Sequence, residues 1–212
     1  MGITPDHLHK KIEGNLWQAD IRHGSMKRLR IPPILCDIVQ TTFSACDGLV
    51  FDRYRCCPDC RGTATGYDRK NKQFAVLTDG QRNRTIIVIV KRFRCITCGK
   101  IFSADAPFYP KTRIGSPVVD LCMILGQMMP FSRVSAHLSF LGIIVDRWTV
   151  RKYVINNSHM TVATTELYGI RVPLSLVNLT VLVARANEKN PLDPLDVLAA
   201  CGFFLNPNDK ER

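Results

Sequence analysis

The spacing of hydrophobic residues along the chain predicts first a β-rich stretch and then a helical one. Apolar runs rich in β-branched and aromatic residues occupy Phe74–Thr78 and Arg84–Arg94. Asp79-Gly80 separates them, and this dipeptide is typical of the turn in a β-hairpin. The pattern therefore predicts two antiparallel strands.

From residue 114 onward, apolar residues recur at the three- and four-residue spacing of a helix. A first helix is predicted over Pro117–Met129, ended by Pro130, and a second over Ser132–Leu141, with Ser132 as its N-cap. A third is predicted after Asp146, a good N-cap, as far as Asn157. A helix, a turn containing Gly142 and another helix form the layout of a helix-turn-helix unit. A plain structural bundle of three helices is the alternative.

The two ends of the chain are less informative. Short helices are predicted at His7–Ile12 and Pro33–Cys46, and residues 1–49 either pack on the β-rich stretch or mediate self-association as a homodimer. Leu174–Ala184 fits a helix or a buried strand. A short helix is predicted from Asp193, its N-cap, to about Cys201.

Composition limits the kind of protein that the sequence encodes. Hydrophobic residues make up 46% of the 212 residues, which fits a folded chain with a core. No apolar run reaches the roughly 18–20 residues of a membrane span, and the N-terminus lacks the pattern of a secretion signal. We therefore expect a protein of the cytoplasm that is associated with the nucleoid.

The positive charge is concentrated in one segment. The chain carries a net charge of +11, and residues 50–113, with 14 basic and five acidic side chains, account for +9 of it. A basic, aromatic, β-rich segment favours a polyanionic partner, with nucleic acid first among the candidates. A solvated basic surface without a partner is the alternative.

Two cysteine pairs lie in the same segment. Cys57 and Cys60 form one Cys-x-x-Cys pair, and Cys95 and Cys98 form the other. Four thiolates in this spacing are the ligand set of a closed, structural Zn²⁺ site with no position for a catalytic water. Cys56 adjoins Cys57 and is an alternative ligand. Between the pairs, a turn is predicted around Gly62, Gly66 and Asp68–Asn71, so that the pairs meet at one end of a small antiparallel sheet.

The sequence therefore predicts an α+β fold, with a small antiparallel zinc ribbon in residues 50–113 followed by a trihelical helix-turn-helix domain in residues 114–168. Residues 1–49 are a predicted helical extension and residues 169–212 a C-terminal tail. Basic and hydrogen-bonding side chains near the second cysteine pair and on the third helix are predicted to contact double-stranded DNA. They are Lys91, Arg92, Arg94, Lys100, Arg147, Thr149, Arg151 and Lys152.

Three segments also carry a family resemblance. RYRCCPDC, KRFRCITCGKIFSADAP and DRWTVRKYV resemble the N-terminal DNA-binding region of DDE-type insertion-sequence transposases, over roughly residues 50–157. The resemblance implies that the ribbon and helices bind the terminal inverted repeats of a mobile element. In that family, a ribonuclease-H-like domain then supplies three carboxylates and two metal ions for strand transfer.

The resemblance does not extend to that catalytic domain. Only 55 residues follow Asn157, too few for it, so we expect residues 169–212 to be at most a truncated remnant. Asp193 and Asp196 fit a helix start, while Glu166, Glu188, Asp209 and Glu211 lack the strand context of a metal site. The predicted function is zinc-dependent, sequence-specific DNA binding without enzymatic activity. The alternatives are a transcription regulator and a zinc-stabilised protein-interaction module.

Overall fold

The computed structural model describes residues 32–167 and 169–203, which belong to one compact unit of mixed α and β structure. The predicted helix at His7–Ile12 lies outside the described residues. The elements in chain order are α1 (Pro33–Ser44), β1 (Val50–Phe51), β2 (Ala64–Thr78), β3 (Asn83–Cys95), β4 (Ile101–Ser103), α2 (Ser116–Met128), α3 (Phe131–Phe140), α4 (Arg147–Asn156), β5 (Thr164–Leu167), β6 (Ile170–Pro173), α5 (Leu174–Arg185) and α6 (Pro194–Ala200).

A long antiparallel hairpin of β2 and β3 forms the centre of the larger sheet. Its register runs from Ala64 opposite Cys95 to Thr78 opposite Asn83. The predicted turn at Asp79 is present, and the Asp79 carboxylate accepts hydrogen bonds from the N–H groups of Gln81 at 2.8 Å and Arg82 at 2.7 Å. These bonds fix the loop because they satisfy backbone donors that the strands leave unpaired.

The predicted turn around Asp68–Asn71 is wrong, because these residues lie inside β2. The pairing of β2 with β3 shifts register between Gly66 and Asp68, so the strand continues past the glycine. The Asp68 carboxylate then forms an ion pair with Arg92 on β3. A glycine within a strand often marks such an irregularity rather than a turn. The sheet is also not purely antiparallel, since β1 pairs with β3 in parallel, Val50 lying opposite Ile89.

Helices α2, α3 and α4 lie close to their predicted positions. Asp146 is the N-cap of α4, and its carboxylate accepts hydrogen bonds from the N–H groups of Trp148 and Thr149. Ser132 is not the N-cap of α3, since the helix starts at Phe131 with Pro130 in the cap position. Ten consecutive residues of α2, from Ser116 to Leu125, are buried rather than one face, because α3, α4, α5 and β6 pack around this helix.

Residues 169–203 contribute to the core instead of forming a tail. The ambiguous run after Pro173 is a helix, α5, which packs against α1 and α2, while α6 packs against β1. Leu179 and Val197 are fully buried, and the Thr42 and Thr180 hydroxyl oxygens lie 3.1 Å apart between α1 and α5. No helix in the described ranges is long and apolar enough to span a membrane.

A buried carboxyl group links α2 to α5. Asp120 is 2% exposed and accepts hydrogen bonds from the Tyr109 hydroxyl at 2.7 Å and the Ser175 hydroxyl at 2.6 Å. Burial raises the pKa of Asp120 above its ordinary value, against the lowering effect of these two donors. The side chain therefore binds a proton more readily in the folded chain than in the unfolded one.

Replacement of Asp120 by asparagine is expected to change the pH dependence of stability. A carboxyl group whose pKa is raised on folding stabilises the fold below its unfolded pKa of about 3.9, and this contribution is lost as pH rises through the folded pKa. Wild-type stability should therefore fall relative to Asp120→Asn over the range above about pH 4, as pH rises through the raised folded pKa. Urea unfolding of both chains across this range measures the difference. Asp37→Asn, at an exposed position of α1, is the control, and parallel curves for wild type and Asp120→Asn would contradict the prediction.

Candidate metal centre and nucleic-acid interface

The four predicted cysteine ligands converge at one end of the β2–β3 hairpin. Cys57 and Cys60 precede β2, Cys95 is the last residue of β3, and Cys98 lies in the turn before β4. All four Sγ atoms lie within 4.8 Å of one another. The Sγ atoms of Cys57 and Cys98 are 3.6 Å apart, and those of Cys60 and Cys95 are 3.4 Å apart. Each close pair joins one turn to the other, as the spacing predicted. The exposed thiol of Cys56 lies outside this cluster.

Backbone hydrogen bonds build the two cysteine turns and link them. Arg61 N–H donates to the Cys57 carbonyl at 2.9 Å, and Gly99 N–H donates to the Cys95 carbonyl at 3.1 Å. Gly99 has a φ of +73°, a conformation that glycine adopts without a steric penalty. Ile96 N–H of the second turn donates to the Thr63 carbonyl beside the first, at 3.0 Å. The cluster is thus held by main-chain contacts from both sides.

Gly62, beside the first cysteine turn, lies directly against Thr97 of the second. A Cβ atom at this position would lie 2.6 Å from the Thr97 hydroxyl oxygen and 3.3 Å from the Cys60 sulfur. Any larger side chain would therefore push the second turn away from the first. Glycine at position 62 allows the two cysteine pairs to meet.

The local electrostatics favour the thiolate, the form that binds metals, at one cysteine of each turn. The N–H of Cys98, then the Cys60 thiol and the N–H of Thr97, lower the pKa of Cys95 to about 6. The N–H groups of Cys60 and Asp59 lower the pKa of Cys57 in the same way. The pKa of the other cysteine in each turn is raised: that of Cys60 mainly by the Cys95 thiol, and that of Cys98 mainly by burial. The Lys100 ammonium group, ion-paired with Asp59, adds positive charge beside the cluster. One cysteine of each turn is thus predisposed to ionise.

The donor set suits a tetrahedral metal ion. A Zn–S bond length of about 2.3 Å implies sulfur–sulfur separations of roughly 3.8 Å, which is near the 3.6 Å and 3.4 Å of the two close pairs. Four sulfur donors favour Zn²⁺ or iron over the hard cations that prefer oxygen. With four protein ligands the site would be closed, so an ion bound there would be structural.

An aromatic cluster supports the cysteine end of the sheet. The ring centroid of Phe93 lies 4.3 Å from that of Tyr54 and 6.0 Å from that of Phe102. The Tyr54 hydroxyl donates to the Ala64 carbonyl at 2.9 Å and accepts from the Ala64 N–H at 3.2 Å. These contacts hold the segment before the first cysteine pair against β3 and the start of β2.

The turn between α3 and α4 is docked onto the same hairpin. Ile144 N–H donates to the Val76 carbonyl at 2.8 Å, and Thr78 N–H donates to the Gly142 carbonyl at 2.9 Å. The Gln40 side-chain amide of α1 also donates to the Thr78 carbonyl, at 2.7 Å. The helix trio and the cysteine cluster therefore share one hydrogen-bonded framework.

Helix α4 places a positively charged and aromatic surface in solvent. Val150 and Tyr153 are buried against the other helices, while Arg147, Arg151 and Lys152 are exposed. Trp148 is 61% exposed, and its ring lies 4.8 Å from the Arg147 guanidinium carbon and 6.0 Å from that of Arg151. Guanidinium groups at this distance attract the ring and restrict its motion.

The eight predicted DNA-contacting residues fall into two groups. Four lie on α4 and four on or just after β3. Three of the eight contact carboxylates of this chain: Arg92 with Asp68, Lys100 with Asp59, and the Thr149 hydroxyl with Asp146 at 2.5 Å.

Trp148 and the exposed residues of β2 were not among the residues predicted to contact DNA. A tryptophan flanked by Arg147 and followed three residues later by Arg151 is a signal that could have identified the first. The exposed residues of β2 were missed because glycine and asparagine there suggested a turn.

Comparisons with family models, with curated proteins and with solved structures found no match to this chain.

Proposed function

We propose that this chain is a zinc-dependent, sequence-specific DNA-binding protein built from a zinc ribbon and a helix-turn-helix, related to the DNA-binding region of insertion-sequence transposases. The observation that carries the proposal is the pairing of a four-cysteine cluster with a basic, exposed helix on one framework. A four-cysteine cluster or a basic helix alone occurs in proteins of many functions. The two together are what the resemblance to the transposase DNA-binding region implies for residues 50–157.

In this proposal, zinc maintains the shape of the cysteine end of the sheet. Cys57, Cys60, Cys95 and Cys98 hold the ion, and the ion in turn fixes the ends of β2 and β3. Because the turn before α4 is hydrogen-bonded to Val76 and Thr78 at the other end of the same hairpin, order in the sheet supports the position of α4.

Helix α4 enters the major groove of duplex DNA. Its arginines are suited to the edges of guanine and to phosphates, and its lysine to phosphates. The cap at Asp146 ties the start of the helix to the turn before it, so the exposed side chains keep a defined orientation.

The proposed activity is binding rather than catalysis. Within the part of the chain that the structure describes, the four cysteines are the one group of three or more metal-ligating side chains that come together. Asp193 caps α6, and Asp196 lies in the first turn of that helix. Their structural role accounts for both carboxylates.

A zinc-stabilised protein-interaction module is the second candidate, and one observation favours it. Arg92 and Lys100, two of the residues assigned to DNA, are already ion-paired with acidic groups of the chain. The Lys100–Asp59 pair is exposed and therefore weak, whereas Arg92 is half-buried and binds both carboxylate oxygens of Asp68. A phosphate would compete for the exposed pair, and an acidic protein surface would do so too.

Salt dependence of DNA binding distinguishes the two candidates. Anisotropy of a labelled duplex of about 30 base pairs and random sequence is measured with the zinc-loaded chain between about 50 and 200 mM salt. The log of the affinity should fall by about 0.9 per log unit of salt for each phosphate contacted, giving a slope near −5 for five or six contacts. Absent or salt-independent binding would overturn the DNA proposal in favour of a protein partner.

A further inference from the structure

The exposed segment of β2 carries a row of polar side chains on one face. Residues 65–71 of this strand are exposed without interruption, as is Gln73. Side chains two residues apart in a strand point to the same face, which places Arg69, Asn71 and Gln73 together. No register shift interrupts the strand between them, so the row is regular over about 13 Å.

The opposite strand adds a positive charge to this face. Arg69 lies directly across from Lys91 on β3, and paired residues of this kind share a face. Asn71 and Gln73 lie across from Ile89 and Ile87, which are half-buried.

The nearby acid lies on the other face. Asp68 is adjacent to Arg69 in the strand and therefore points the opposite way, where it forms its ion pair with Arg92. Among the described residues, no ion pair engages Arg69. The positive charge of Arg69 is therefore available to bind an anionic partner.

From this arrangement we infer that Arg69, Asn71 and Gln73 form a second DNA-contacting surface, separate from α4, that binds base edges in the major groove of a duplex. β-Sheet proteins also bind DNA grooves with exposed strands, and β2 is the outer strand of the four-stranded sheet, paired, among the described strands, only with β3 along this stretch. Arginine pairs with guanine, and asparagine and glutamine pair with adenine. The inference rests on the proposed DNA-binding function and adds to it a specificity determinant.

The hairpin supplies a matched control at its opposite end. Gln81, Arg82 and Asn83 repeat the same three residue types, and all are exposed. The Asp79 carboxylate accepts from the backbone N–H groups of Gln81 and Arg82, so truncation of those two side chains leaves these loop bonds intact. Alanine at these three positions removes the same charge and the same amide groups from a different surface.

The test begins with the preferred site, obtained by selecting duplexes from a random pool with the wild-type zinc-loaded chain. Affinities for this site and for a scrambled duplex are then measured with Arg69→Ala/Asn71→Ala/Gln73→Ala and with Gln81→Ala/Arg82→Ala/Asn83→Ala. The first variant should lose about 30-fold or more in affinity for the selected site and less for the scrambled one, because base contacts carry the discrimination. The control should stay within about threefold of wild type for both.

A conservative variant separates base contact from charge. Arg69→Lys keeps the positive charge but loses the two-pronged geometry, so it should bind scrambled duplex normally and bind the selected site about tenfold less tightly. Zinc content and circular dichroism verify that every variant is folded.

The outcomes distinguish this inference from the function on which it rests. If wild type binds duplex DNA but the β2 variant behaves like the control, the inference is overturned and the proposed function stands. Equal loss on selected and scrambled duplexes, or tighter binding to single strands, also overturns base contact by this face. If wild type binds no duplex, both proposals fall.

Discussion

Replacement of Cys95 and Cys98 together by serine is expected to abolish metal binding and to unfold the cysteine end of the sheet. A structural zinc site contributes about 10–16 kcal/mol in small zinc-binding peptides, as much as the whole stability of a typical domain. If loss of zinc lowered the free energy of global unfolding by only about 5 kcal/mol, the Tm would fall by roughly 10–20 °C for a chain of this size. Zinc content, far-ultraviolet circular dichroism and thermal unfolding measure the effect.

Cys56→Ser is the matched control for this variant. Cys56 is an exposed thiol beside Cys57 but outside the cluster, so its loss should leave one zinc per chain and an unchanged Tm. A double variant that keeps its zinc and its Tm would show that the four thiols do not share an ion. Loss of zinc from Cys56→Ser would show that the ligand assignment is wrong at this turn.

Removal of the three basic side chains of α4 is expected to have the largest effect on DNA binding. Arg147→Ala/Arg151→Ala/Lys152→Ala should weaken binding to a selected duplex by about 100-fold or more, since each arginine that contacts a base contributes roughly tenfold or more. It should also reduce the slope of log affinity against log salt by about 2 to 3. Alanine favours a helix, so α4 itself should persist.

Three other exposed basic residues of the same types form the control. Arg171→Ala/Arg185→Ala/Lys189→Ala removes two arginines and one lysine from β6, the end of α5 and the loop that follows. Net charge then changes equally in both variants, and only the location differs. Equal losses of affinity would mean that general charge, and not α4, determines the binding.

The sequence predicted the features that depend on local chemistry. Asp146 was identifiable as an N-cap because its carboxylate satisfies donors two and three residues away. The four cysteines were identifiable because Cys-x-x-Cys spacing is set by metal geometry rather than by the rest of the fold. The hairpin loop at Asp79 belongs to the same class of short-range signals.

Features that depend on distant contacts could not be predicted in this way. The residues Asp68–Asn71 have turn-like chemistry, yet pairing with residues 89–92 of β3 and the ion pair to Arg92 hold them in a strand. Likewise, α5 became identifiable as a helix only through its packing against α1 and α2. Asp120 interrupts an apolar run, and its partners Tyr109 and Ser175 lie 11 and 55 residues away.

The zinc dependence of DNA binding is the decisive test of the proposed function. Anisotropy of a labelled duplex is followed while a chelator removes zinc from the chain and while zinc is then added back. The proposed function predicts that binding disappears with the metal and returns at one zinc per chain. An apo chain that binds the duplex with the same affinity and salt dependence as the zinc-loaded chain would contradict it.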